Sequence, residues 1–196
     1  MSALELQFGG LGGQGVVLAG MTIGRGLALY ENYHVSLTQS FGPEARGSAC
    51  SVQLVVSPEP VHYPYVDRPT ILAALSQEAY LRFAPCLRED GILLLEEDLV
   101  RPDAAGELRP DLRLYRVPAT RLAEELGRKM VLNMVLVGFF TAITGLLRVD
   151  SARRALAESV PRGTEALNLA AFDKGYQHGL AQLTQARAPV GLKAAS

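Results

Sequence analysis

The chain has 196 residues, 48% hydrophobic and 20% charged, a length and balance that fill one globular core. Its 19 basic and 20 acidic side chains nearly cancel, which argues against a nucleic-acid binder, since that needs a surplus of Lys and Arg, but leaves room for one local basic pocket. Two cysteines, Cys50 and Cys86, and three scattered histidines, His34, His62 and His178, exclude a four-thiolate iron–sulfur cluster within this chain and offer no close-spaced zinc set.

"LELQF" (Leu4 to Phe8) alternates apolar and polar residues and reads as a strand. "GGLGGQGVV" follows, and then "VVLAGMTIGRGLAL" carries apolar residues at helical spacing, with Gly20 and Gly24 on one face for close approach to a neighbour. "HVSLT" (His34 to Thr38) and "SACSVQLVVS" (Ser48 to Ser57) read as strands, with the loop "QSFGPEARG" between them. Pro58, Pro60, Pro64 and Pro69 mark an extended connection, and a helix is predicted from Thr70 to about Phe83. "GILLLEEDL" and "DLRLYRVPAT" are further strands, with Thr120 as the cap of a helix beginning "RLAEEL".

The remainder is helical. "MVLNMVLVGFFTAITGLL" (Met130 to Leu147) just reaches the ~20 residues of a membrane span. Asn133, Thr141 and Thr144 interrupt it and no second such segment exists, so it reads as a buried central helix. "SARRALAESV", behind an Asp150 or Ser151 cap, and "TEALNLAAFDKGYQHGLAQL" complete the pattern. The expectation is an α/β fold: a mainly parallel, Rossmann-like sheet with a glycine-rich first strand-to-helix loop and a C-terminal helical layer. One domain over 1–183 and a loosely held tail over 184–196 are expected. "MSALELQ" has no signal-peptide layout, which suits a cytoplasmic protein whose two cysteines are free, buried thiols rather than a disulfide.

Strand, glycine loop and helix together make an anion site, because unpaired N–H groups and the positive end of the helix dipole converge there. Gly10-x-Gly12-x-x-Gly15 satisfies the dinucleotide pattern, but an NAD site also needs a carboxylate at the end of the second strand. That strand runs out through "SLTQSFG", and Glu31 and Glu44 flank it in the wrong places. Ser40 to Gly47 offers instead a hydroxyl, an aromatic face, a Gly-Pro turn, Glu44 and Arg46, so a phosphate-bearing cofactor is expected with Arg46 reaching its phosphates. The plain alternatives are a ligand-free tight turn and a solvated Glu44–Arg46 pair.

"GLGGQGVVLAG" followed by "SFGPEARG", with "NMVLVGFF" from Asn133 and "EALNLAAFDKGY" from Glu165, resembles the gamma subunit, or gamma-type domain, of the 2-oxoacid:ferredoxin oxidoreductases over about residues 4–180. Phe41 stands where tyrosine is common, and Ser48 where a second glycine often follows. The resemblance implies a subunit, inactive alone, of a complex that reversibly decarboxylates a 2-oxoacid, releases an acyl-CoA and reduces ferredoxin. Thiamine diphosphate with Mg and the iron–sulfur clusters belong to alpha, beta and, where one exists, delta partner subunits. It further implies that coenzyme A binds this chain, with Gly12, Gly13, Gln14 and Gly15 receiving phosphates and Ser40, Glu44 and Arg46 lining the closing loop; the same loop could instead lie at a subunit interface. No catalytic or metal-binding residue is expected here. 2-Oxoglutarate is the favoured substrate; an indolepyruvate-type smaller subunit, a stand-alone NAD(P)-binding oxidoreductase and a purely structural partner are the alternatives.

Overall fold

A computed structural model describes residues 3–43, 47–102 and 109–187. Six strands form one sheet in the order β2-β3-β1-β4-β5-β6: β1 Leu4–Leu11, β2 His34–Phe41, β3 Ala49–Ser57, β4 Ile71–Ala74, β5 Ile92–Glu96 and β6 Arg113–Val117. Strands β1, β4, β5 and β6 are mutually parallel, whereas β3 runs antiparallel to both β1 and β2. The sheet is therefore mainly parallel as predicted, with one reversed strand. The reversal follows from the stretch 42–48, which is too short for the crossover of a dozen or more residues that parallel neighbours need.

Helices cover both faces. On one side lie α1 Val16–Tyr30, α3 Ala119–Glu124, α4 Leu132–Thr144, α5 Val149–Ser159 and α6 Glu165–Arg187; α2 Gln77–Phe83 lies on the other. The larger core joins Leu6 and Phe8 of β1, Val52 and Leu54 of β3, Ile23 and Leu27 of α1, and Phe139 and Phe140 of α4. Each such side chain contributes roughly 1.5–3 kcal/mol by leaving water. A smaller core packs Leu72, Leu93 and Leu95 beneath Ala79 and Tyr80 of α2.

Close approach explains the glycines. A Cβ on Gly24 would meet Leu54 Cδ2 at 2.8 Å, and one on Gly20 would overlap Val52, so the face read from sequence sits on β3. Where α4 crosses α6, a Cβ on Gly138 would run into the Phe172 carbonyl and one on Gly175 into that of Val135. Two backbones touch there with nothing between them.

Three expectations change. The predicted helix from Thr70 is two elements: Ile71–Ala74 is a wholly buried strand, and Ser76 starts the helix by accepting Ala79 N–H through its hydroxyl at 3.2 Å. Thr120 lies inside α3 and caps nothing; Glu96 of β5 accepts its N–H at 3.0 Å instead. The cap position of α5 is Arg148, with Asp150 and Ser151 within its first turn. The long apolar segment is a helix of 13 residues wrapped by neighbours, its Thr141 and Thr144 hydroxyls donating to Val137 and Phe140 carbonyls at 2.8 Å. No helix among the described residues is long and apolar enough to cross a membrane.

Candidate functional site

The carboxyl ends of β1 and β2 share one sheet edge with the start of β3, and the glycine loop meets the β2–β3 connection there. Gly12 N–H donates to the Ser48 carbonyl at 2.8 Å, Gly47 N–H donates to Gly12 at 3.2 Å, and Gly42 N–H donates to Ala49 at 2.7 Å. The two loops singled out in the sequence are thus one hydrogen-bonded unit. The proline-rich connection lies at the opposite edge, where Asp67 and Arg68 N–H groups donate to the Glu5 carboxylate at 2.9 Å.

The glycine residues divide by task. Gly13 is exposed at φ +101°, and a Cβ there would meet nothing within 4 Å. Gly15, at φ +70°, begins α1 in the left-handed region that favours glycine, and its Cβ position is filled by Asn133 Nδ2 at 2.5 Å. The helix starts at Val16, later than the Gln14 expected, and has no acidic residue in its first turn and no side-chain cap. Gln14 is a brace: its Oε1 accepts Leu11 N–H at 2.6 Å and its Nε2 donates to the Leu75 carbonyl at 2.9 Å, tying β1 to β4.

Backbone donors are divided likewise. Gly12 N–H and Gln14 N–H are committed to Ser48 and Leu11 carbonyls. Among the described residues, Gly13 and Gly15 N–H have no acceptor, and the first-turn N–H groups of α1 lie beyond the reach of the i→i−4 ladder. An anion at this edge would meet those groups and the helix dipole together.

Two contiguous concavities open beside the loops. One, of about 280 Å³, runs over Gly12, Phe41, Gly42, Pro43 and Ser48. The other, of about 80 Å³, includes Ser40, Ser51, Glu78, Arg82 and Phe83; Phe41, Gly42, Ala49 and Cys50 line both. Ser40 is therefore brought to the site, opposite Ser51 in the strand register. Glu44 and Arg46 lie outside the described residues. Arg82 and Glu78 carried no signal in the sequence, because their nearness depends on α2 lying beside β1 and β3. Both cysteines are free, but of the two expected to be buried only Cys50 is; Cys86, in the short turn that follows α2, is exposed. Burial pushes the Cys50 thiol up from its ordinary range, so it stays a neutral wall of the cleft. Among the described residues, no group of three or more His, Cys, Asp or Glu side chains gathers to hold a metal.

Asn133 links the site to the helical layer. It is buried, donates from Nδ2 to the Gly15 carbonyl at 3.4 Å and accepts Met134 N–H at 3.0 Å. The stretches "GLGGQGVV" and "NMVLVGFF" therefore touch.

A sequence model of the family described as pyruvate ferredoxin/flavodoxin oxidoreductase matches residues 5–178. The chain belongs to that family. It is 44% identical over 174 residues, 88% of this chain and 92% of the relative, to "2-oxoglutarate synthase subunit KorC" of Methanocaldococcus jannaschii. The corresponding subunit of Methanothermobacter thermautotrophicus is 41% identical, over 87% of this chain and 92% of the relative. The gamma subunit of a keto/oxoacid ferredoxin oxidoreductase from Geobacter sulfurreducens superposes with a TM-score of 0.80 at 31% identity, covering 92% of this chain and 98% of its own. A 2-oxoglutarate:ferredoxin oxidoreductase from Magnetococcus marinus, with 2-oxoglutarate, coenzyme A and succinyl-CoA bound, shares the fold at a TM-score of 0.82 and 22% identity, covering 92% of this chain and 32% of that one. Within the family, this is a gamma-type subunit of a 2-oxoacid:ferredoxin oxidoreductase.

Proposed function

We propose that the chain is the gamma subunit of a cytoplasmic 2-oxoglutarate:ferredoxin oxidoreductase and that its glycine edge receives coenzyme A, which accepts the succinyl group. The complex would convert 2-oxoglutarate, coenzyme A and oxidised ferredoxin into succinyl-CoA, carbon dioxide and reduced ferredoxin, reversibly. Alpha, beta and, where present, delta subunits would supply thiamine diphosphate with Mg and the iron–sulfur clusters. The observation that carries the coenzyme A reading is the donor set at the sheet edge: Gly13 and Gly15 N–H and the uncapped start of α1, beside a two-part cleft. Substrate choice rests on the similarity to 2-oxoglutarate synthase subunits, which also does not favour the indolepyruvate alternative.

The contacts proposed are narrower than the set expected from the sequence. Gly13 and Gly15 offer N–H groups to a phosphate, while Gly12 and Gln14 shape the loop. Ser40 lines the cleft; Glu44 and Arg46, outside the described residues, remain proposed contacts from the sequence, Arg46 to a phosphate. A stand-alone NAD(P) site fits poorly: β2 is separated from β1 by β3, and its last residues, Gln39, Ser40 and Phe41, bring no carboxylate for a ribose diol.

The test is a reconstituted complex assayed with 2-oxoglutarate, pyruvate and branched-chain oxoacids in turn, at varied coenzyme A. Arg46→Ala and Gly13→Val in an assembled complex should weaken the response to coenzyme A. Unchanged coenzyme A kinetics in both variants would overturn the binding role, and failed assembly would assign the loop to a subunit interface. Turnover of another oxoacid in preference to 2-oxoglutarate would overturn the substrate reading.

A further inference from the structure

The sheet ends differently on its two sides. At β6, α6 covers Arg116 of the edge: Gln182 Oε1 accepts Arg116 N–H at 3.3 Å, and Gln182 Nε2 and His178 Nε2 both approach the Arg116 carbonyl. At β2, among the described residues, nothing pairs with the outer edge. The register shows which groups are left. Gly42 N–H bonds inward to Ala49, so the even-numbered residues of β2 face β3, and by the alternation of an antiparallel ladder Val35, Leu37, Gln39 and Phe41 turn their N–H and C=O groups outward.

Proteins ordinarily blunt a long edge with lysine, proline or inward charges. His34–Phe41 contains no Lys, Arg, Asp, Glu or Pro, and it ends in Phe41, which is 63% exposed. Such an edge suits an extended strand as its occupant, and its own sequence suits it to a second copy. We infer that this chain self-associates through β2, two copies joining antiparallel about a two-fold axis at Thr38 into one continuous sheet. That register uses every outward group from Val35 to Phe41. It sets the exposed Phe41 opposite the second copy's Val35, an aromatic–β-branched pair, and Thr38 opposite its own copy, with Ser36 opposite Ser40. No like charges meet, because the strand carries no charged side chain. Because the two-fold contact uses the β2 edge of both copies, the pairing closes at two, and on the far side α6 occupies Arg116 of β6. Each Phe41, which lines both parts of the cleft, would then be covered by the neighbouring copy, so association would also reach the site.

The full chain should sediment at twice 21.1 kDa in the micromolar range, and the amides of Val35, Leu37, Gln39 and Phe41 should gain hydrogen-exchange protection as concentration rises. Thr38→Lys, which opposes two lysines on the axis, and Gln39→Pro, which removes an outward donor and spares the β3 ladder, should each give a folded monomer by circular dichroism. Thr38→Cys should form an interchain disulfide under mild oxidant well beyond the wild-type level. A wild-type chain that stays monomeric overturns the inference, even if its β2 amides become protected in the complex by another subunit's strand. So does a dimer whose outward amides exchange freely, or one that persists in folded Thr38→Lys and Gln39→Pro variants. Exchange on the wild-type chain decides the matter should both variants misfold.

Discussion

Glycine does different work at two of the places where α4 meets the rest of the molecule. At its first turn, Asn133 fills the Cβ position of Gly15 while Gly13, one step out, faces open space at φ +101°. Further along, Gly138 and Gly175 let the backbones of α4 and α6 touch. The crossing is a packed contact that any side chain would force apart. The loop uses conformational freedom, not volume, and leaves the Gly13 and Gly15 N–H groups without an acceptor among the described residues. Residue type alone says nothing about which is which.

The comparison breaks most visibly at the crossing. Gly175→Ala should cost about 3 kcal/mol or more, because the obstruction is backbone and cannot rotate away; a urea melt should fall sharply, or the chain should fail to fold. Glu96 tests whether everything at the carboxyl edge belongs to the site. It is 1% exposed, and its carboxylate accepts the N–H groups of Asp98 and Leu99 at 2.8 Å and of Thr120 at 3.0 Å. Glu96→Ala should cost roughly 2–3 kcal/mol by leaving those donors without their charged acceptor, while an assembled complex keeps its response to coenzyme A.

Gly13→Ala sharpens the contrast from the other side. It should cost only about 1–2 kcal/mol for its left-handed backbone, measured by thermal melt. It should raise the KM for coenzyme A roughly tenfold, the equivalent of 1.4 kcal/mol lost from hydrogen bonds to a charged phosphate. A variant as unstable as Gly175→Ala would show that the loop too is packing. The smallest effect concerns the two thiols. Cys86 is exposed and should alkylate first; Cys50, whose pKa burial has raised, should react slowly, with a pH midpoint above the ordinary thiol value. The sign follows from that shift: the folded state holds the Cys50 proton more tightly than the unfolded chain, so stability falls as pH rises through the folded-state pKa.

Much of the fold is legible because its elements carry period and punctuation. β1, β3 and β5 read correctly, as do α1 and the apolar α4. β4 was hidden because "TILAAL" runs into "SQEAYLRF" without a breaker, and four wholly buried residues have no alternation to read. The role expected of Thr120 went to Glu96, a residue 24 positions away that the chain returns only in three dimensions; among the described residues the buried Thr120 hydroxyl has no partner. At the site, the meeting of the two loops was legible from their shared sheet edge. That Gln14 spends its amide on Leu11 and Leu75, or that Arg82 lines the cleft, was not, since both follow from strand order and helix docking.

The β2–β3 connection is pinned on both flanks, by Gly42 N–H to Ala49 and by Gly47 N–H to Gly12. Those pins lie outside the stretch between them, so residues added between 43 and 46 need not shift the strand register or the core, whereas removing residues there would take the proposed phosphate partner Arg46 with them. Descendants of one scaffold can retune what the cleft admits through insertions there, while the sheet beneath stays unchanged.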